Sequence, residues 1–454
     1  MAGKPKLLRR AAIGLCLFAA LALQALQAAE RPAARDPSPL NQQFQAAVSL
    51  FQNHQYNQAQ QILTGLLRQA PNDFQLNELM GLVCTAQNRA GQANPYLAKA
   101  VSLQPRSAEA RMYLAANLVD LHQNARAESE FKQAVRLKPE DYNTNHNLGE
   151  FYIHTGRLAL AIPSLAKAQQ VNPSSYTNGY DLALAEIKTG KYREARESIE
   201  HLLHYQNQAD LHSLLAAAEE KSGQYLEAAK EYGLAARMDP SADNIFAWGS
   251  ELLLHHTLEP AVQVFKRGVE LYPRSAKMEI GLGIALYSRT YYQEAIDSFC
   301  RAIDLNPDDP RPYTFLGKIY DASPLQAPAV TDRFARFARL RPRNPQALYY
   351  YALSLWKGSR TEAKPADVPK IERLFERAVA LDPQFAEARL QLGILYAQQR
   401  RYDEAIAQYR QAIQSQPDLA DAHYHLGEAL VRTGKKAEAE RQFQTFNRLH
   451  EQQV

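Results

Sequence analysis

The chain has 454 residues, 52 of them basic and 48 acidic, and only three cysteines. Four basic residues, Lys4, Lys6, Arg9 and Arg10, stand in the first 28 positions, where there is no acid, so the rest is formally neutral with 48 charges of each sign. That balance leaves no field to steer a nucleic-acid backbone, and Cys84 and Cys300, some two hundred positions apart, exclude a disulfide framework.

Residues 1–29 pair a basic head with an uncharged run from Ala11 to Ala29, the pattern of a secretory signal peptide or, if retained, an N-terminal membrane anchor. Leu15 stands before Cys16 where a lipid-attachment site would need a small residue. The expectation is a periplasmic or secreted protein beginning near Ala29 or Glu30, with membrane contact through this segment where it is not removed. Residues 30–39, rich in proline and polar side chains, read as a linker.

A 34-residue unit then recurs to the end, and residues 386–419, AEARLQLGILYAQQRRYDEAIAQYRQAIQSQPDL, show it best. Leu390, Leu392, Ile394, Leu395 and Tyr396 recur at helical spacing, a polar break follows at Gln398 to Arg401, and Ala405, Ile406, Tyr409, Ala412 and Ile413 begin a second helical run. Pro417 cannot continue a helix and closes the unit. Prolines return at 71, 105, 139, 173, 240, 273, 307, 342 and 383. A small residue recurs on the first helix at Ala47, Gly81, Ala115, Gly149, Ala183, Ala216, Gly249, Gly283, Gly317, Ala352, Gly393 and Gly427, which makes twelve repeats. The second helix has its own small slot, from Ala59 and Ala93 through Ala405 and Ala439, and loses it only in repeats nine and ten. Small residues at these positions predict close approach of the two helix backbones.

This unit resembles the tetratricopeptide repeat, as found in exported bacterial proteins. The resemblance implies an all-α solenoid, a right-handed superhelix of about twelve helix-turn-helix repeats near 40–73, 74–107, 108–141, 142–175, 176–208, 209–241, 242–275, 276–309, 310–344, 345–385, 386–419 and 420–454. It also implies a protein or peptide partner held in a concave groove lined by the first helices. The groove positions matched by the repeat register are Phe246, Ser250, Leu253, Ile280, Ile284 and Tyr287 in repeats seven and eight, and Tyr349, Leu353, Trp356, Leu390 and Ile394 in ten and eleven. Their aromatic character suits docking of an apolar segment.

Two irregularities interrupt the period. DASPLQAPAV replaces the turn of repeat nine, and KGSRTEAKPADVPK replaces a tight turn in repeat ten. No glycine-rich phosphate loop, paired-cysteine metal motif or nucleophile elbow is present, so no enzyme activity and no cofactor is expected. His146, Glu150 and His154 share one helix face and are the only set that would support a metal-dependent enzyme; their outer members stand about 12 Å apart along the axis, too far for one ion. His201, His204 and His212 straddle a helix boundary. Arg333, Arg336, Arg339, Arg341 and Arg343 flank Phe334, Phe337 and Leu340 on an amphipathic helix, an alternative surface for anionic lipid or glycan. Asn143, Asn145 and Asn147 lack the lysine with which some family members grip a carboxylate.

Overall fold

The computed structural model describes residues 39–322, 327–361 and 367–452. The signal or anchor segment and all but the end of the linker lie outside them. Every regular element among the described residues is helical. Twenty-four helices form twelve antiparallel pairs. In chain order the first helices are α1 (Pro39–Gln52), α3 (Phe74–Ala86), α5 (Ala108–Asp120), α7 (Tyr142–His154), α9 (Tyr176–Lys188), α11 (Ala209–Lys221), α13 (Ala242–Leu254), α15 (Ala276–Ser288), α17 (Pro310–Ala322), α19 (Pro345–Thr361), α21 (Ala386–Gln398) and α23 (Ala420–Arg432). The second helices are α2 (Tyr56–Gln69), α4 (Ala90–Leu103), α6 (Asn124–Leu137), α8 (Leu158–Val171), α10 (Tyr192–Leu203), α12 (Tyr225–Met238), α14 (Leu258–Leu271), α16 (Tyr292–Leu305), α18 (Ala327–Leu340), α20 (Val368–Leu381), α22 (Tyr402–Ser415) and α24 (Lys436–Glu451). Compact units run from Met1 to Met238 and from Asp239 to Val454. Within each, successive hairpins stack in sequence order, the pattern of an α-solenoid.

Local chemistry sets each joint. Two residues after the proline a short polar side chain caps the next first helix: Asp73 accepts from the Leu76 amide at 2.9 Å, Ser107 from Ala110 at 3.1 Å and Asp141 from Thr144 at 2.9 Å. At the other end, first helices stop at a residue with positive φ. Glycine serves at Gly156, Gly190, Gly223 and Gly434, but His54, Asn88, His122, His256, Thr290 and Arg400 adopt the same left-handed backbone. Thr290, β-branched and at φ 62°, is the most strained of these.

The small slots explain the hairpin, though by a different contact from close backbone approach. A Cβ added at Gly393 would lie 2.5 Å from the Tyr409 ring, at Gly283 2.7 Å from Phe299, and at Gly249 2.7 Å from Phe265. The first helix thus leaves a hole sixteen positions upstream of a large side chain on the second, and that side chain fills it. In repeats nine and ten the second-helix alanine slot is taken by Val330 and Ile371, both fully buried. Repeat nine is rewired. Gly317 meets the Tyr350 ring of the next hairpin, Tyr350 stacks on Phe334 at 5.4 Å, and α18 packs mainly on α19. In repeat ten, part of the stretch read as a loop prolongs the first helix instead. α19 runs seventeen residues to Thr361, and α20 starts anew from an Asp367 cap.

No helix among the described residues is long and apolar enough to cross a membrane. Cys84 and Cys300 are buried free thiols.

Candidate functional site

The expected groove residues separate into two groups. Phe246, Ser250, Leu253, Ile284, Tyr287 and Ile394 are half-buried and reach the surface. Ile280, Tyr349, Leu353, Trp356 and Leu390 are buried, Leu353 to 1 % exposure and Trp356 to 7 %. The Tyr349 ring lies 5.0 Å from Phe385 and 6.0 Å from Phe375, and Trp356 meets Phe375 edge-on at 6.1 Å. Tyr349 thus packs towards hairpin eleven through Phe385 and Trp356 packs within hairpin ten through Phe375, so these expected groove positions are covered by packing.

Apart from Ile394 on α21, the half-buried group forms a patch on α13 and α15, which contact each other directly in the second unit. Leu254, which the repeat register did not single out, is its most exposed member at 62 %. The only sequence signal for it is that it follows Leu253 at the end of a first helix with no polar residue between. Lys277 lies over the Phe246 ring at 4.1 Å and reaches Asp243 at 3.3 Å, so the patch has a charged rim at one end. Tyr287 stands at the other end, its ring 6.3 Å from Phe315. Beyond it on α17, Lys318 is exposed and Thr314 half-buried, while the Asp321 side chain lies outside the described residues.

The histidine set is committed elsewhere. His146 Nδ1 stands 3.0 Å from Asn178 Oδ1, with its ring stacked on Tyr142 at 5.2 Å, and His154 is exposed. His212 bridges Glu231 and Asn207 at 2.5 and 2.7 Å, and His204 pairs with the Glu200 carbonyl at 2.7 Å. Among the described residues no three histidine, cysteine or carboxylate side chains converge as a metal site.

On α18, Phe334 and Phe337 are buried while Leu340 is exposed. Arg333 pairs with Asp304 at 2.5 Å and Arg341 donates to the Asp308 carbonyl at 3.3 Å, so two of the five arginines serve neighbouring repeats. Arg339, Arg341 and Arg343 are exposed and Arg336 half-buried.

The asparagines have structural employment. Asn147 Nδ2 approaches Met112 Sδ at 3.4 Å, and Asn145 donates to the Pro139 carbonyl at 2.8 Å. The second of these is one case of a general device that the periodicity did not reveal. Six residues after a closing proline, a side chain turns back to its carbonyl: Asn77 to Pro71, Arg111 to Pro105, Tyr313 to Pro307, Arg389 to Pro383 and His423 to Pro417, at 2.8 to 3.1 Å. At three prolines whose slot holds no donor, one comes from elsewhere. Gln169 serves Pro173 at 2.8 Å, Tyr272 serves Pro240 at 2.8 Å and Arg377 serves Pro342 at 3.3 Å. Each of these turn carbonyls, freed where the helix ends, thereby gains a partner within the protein.

Comparison with known proteins finds no match among curated sequences. Among solved structures the chain is similar to the C-terminal part of a TPR repeat-containing protein from Cytophaga hutchinsonii, with 18 % identity and a TM-score of 0.44, covering 53 % of this chain and 96 % of that one. It is also similar to the APC/C hetero-tetramer Cut9-Hcn1 (15 % identity, TM-score 0.39, 91 % and 94 % covered) and to YrrB, a TPR protein described as having an unusual peptide-binding site (22 %, 0.35, 40 % and 96 %). Family models described as TPR repeat or tetratricopeptide repeat match residues 115–175, 155–218, 374–407 and 395–434. With hairpins of the same construction throughout the described residues, the chain is a tetratricopeptide-repeat protein.

Proposed function

We propose that this protein is an exported interaction scaffold, without catalytic chemistry of its own, that holds a partner protein or peptide against its first-helix layer. The observation that carries this reading is the apolar patch of Phe246, Leu253, Leu254, Ile284 and Tyr287, displayed side by side on α13 and α15. An exposed apolar surface of this kind, rimmed by polar groups, is a docking surface in a water-soluble fold. Contacts between successive first helices recur along both units, whereas among second helices the main one is between α16 and α18. Closer spacing in the first-helix layer supports reading it as the concave side. An extended or helical apolar segment fits the patch, and assembly of an envelope or secretion complex fits the basic head and uncharged run at residues 1–29.

The test is site-specific photocrosslinking in envelope fractions of the producing cell. A crosslinker at Leu254 or Ile284 should yield one discrete protein adduct, while Leu160 on α8, 50 % exposed, should yield none. Leu254→Asp should abolish the Ile284 adduct. Equal labelling from all three positions would exclude the patch as a binding site. Export is tested separately by N-terminal sequencing, which should begin near Ala29 or Glu30.

A further inference from the structure

The apolar core of the first unit is broken. Buried residues from α1 to α9 form one continuous cluster that ends with Leu182 and Ala185, while Ala183, Ile199, Leu202, Leu211, Leu214 and Leu215 form a separate one. The division falls within α9, and two buried carboxyls flank the second, smaller cluster, Glu186 on α9 and Glu219 on α11. Counting from the small residue of each first helix, one position three residues on is filled by Cys84, Leu118 and Tyr152 in repeats two to four and by Leu252 and Leu286 in seven and eight, all buried. In repeats five and six the same position holds Glu186 and Glu219, each 5 % exposed and each with one carboxyl oxygen lacking a partner. The joint between these repeats also lacks the closing proline, since none stands between Pro173 and Pro240.

We propose that the packing of the fifth and sixth hairpins is operated by protons: with Glu186 neutral α9 packs closed on α10, with Glu219 neutral α11 packs closed on α10 and α12, and ionisation of the two carboxyls loosens these contacts. The surroundings of each group fit this role. Glu186 faces Ser198, Glu194 and Glu197 on α10 and Lys191 in the turn. Glu219 faces Arg196 and Glu200 on α10, and Glu227 and Glu231 on α12, where His212 already engages Glu231. Acids outnumber bases around both. Burial is the main cause that pushes each carboxyl up to about 7, and for Glu219 the Glu231 carboxylate is the next contributor. Arg196 is the nearby base that would answer ionisation of Glu219. Its two Nη atoms are held by Gln224 at 2.7 Å and Glu200 at 3.4 Å, and its Nε is unpartnered.

The sign follows from linkage. A carboxyl in the opened joint titrates near its ordinary value of about 4.3, below its value in the closed joint, so closure binds protons. Stability of the joint is complete below that ordinary value and is lost as pH rises through about 7. The opening equilibrium should grow about tenfold for each carboxyl between pH 6 and pH 8.

Hydrogen exchange on the full chain tests this, with rates corrected for intrinsic pH dependence. Amides of α9–α12 should lose protection between pH 6 and pH 8 while those of α20–α22 do not. Glu186→Gln with Glu219→Gln should keep α9–α12 protected at both values. Because glutamine leaves a polar group in the slot, Glu186→Leu with Glu219→Leu, which restores the residue type of neighbouring repeats, serves as the second variant and should also be insensitive to pH. Protection of α9–α12 that does not change with pH in the native chain, or a pH dependence that survives in both variants, would overturn the proposal.

Discussion

The first helices of hairpins seven and eight and those of ten and eleven carry the same kinds of side chain at the same repeat positions, and the structure uses them in opposite ways. Phe246, Leu253, Ile284 and Tyr287 remain partly open on α13 and α15, whereas Tyr349, Leu353, Trp356 and Leu390 are closed off on α19 and α21. What differs is the supply of covering groups. Phe385, in the turn before α21, and Phe375 on α20 lie against Tyr349, and Phe375 also meets Trp356. Position within the repeat fixes which way a side chain points, while the neighbouring turn and second helix decide whether anything lies over it.

The comparison breaks most visibly at its buried end. Tyr349→Ala and Trp356→Ala should each cost about 3–5 kcal/mol, the range for emptying an aromatic site in a packed core. Urea denaturation followed by helicity should show the loss; an unchanged transition would return these residues to the groove. A smaller effect is expected at the helix crossing that supports the open patch. Gly283→Val places a methyl-bearing Cβ against the Phe299 ring and should destabilise by about 1–3 kcal/mol, read the same way.

Leu254→Asp sharpens the other side of the comparison. With most of the side chain already in water, the substitution should alter stability by about 0.5 kcal/mol or less while removing the crosslinked partner. The smallest effect should be a gain. Thr290→Gly, in the turn that ends α15, relieves a left-handed β-branched residue and should stabilise by about 1 kcal/mol, measured as a higher unfolding temperature.

Much of this architecture was legible in the sequence because it is written locally. A proline recurring at the repeat period ends a helix, although Pro95 and Pro163, off that period, lie inside α4 and α8, and glycine or alanine recurring at the same period marks where a large side chain must fit. The same reasoning failed where contacts come from another hairpin. Nothing near Tyr349 announces Phe385 in the turn before the eleventh hairpin, and nothing in the turn of repeat nine announces that Tyr350 would fill the hole at Gly317. The donors to the proline carbonyls were hidden for a different reason. Asparagine, arginine, tyrosine and histidine have no common hydropathy, only a hydrogen to give, so a search for periodic apolar residues passes over them. Leu254 was missed because exposure at a helix end is a property of what fails to cover it.

Those carbonyl donors also determine where the array can be cut and rejoined. Deleting residues 106–139 would bring Asn145 to the sixth position after Pro105, where Arg111 had been, so an amide donor replaces a guanidinium and the new seam is furnished as the old one was. Hairpin three is in this sense a cassette. Deleting residues 241–273 has the opposite outcome. Glu279 would arrive at the sixth position after Pro240, and Tyr272, whose hydroxyl now serves that carbonyl, would be gone. The seam would then lose its donor and resemble the one after Pro273 in the intact chain, where Glu279 already holds the sixth position and accepts from Arg301 at 2.8 Å. Arrays shortened at the third hairpin should therefore keep a donor at the new seam and those shortened at the seventh should lose one, so a chain that looks uniformly modular has preferred points of excision.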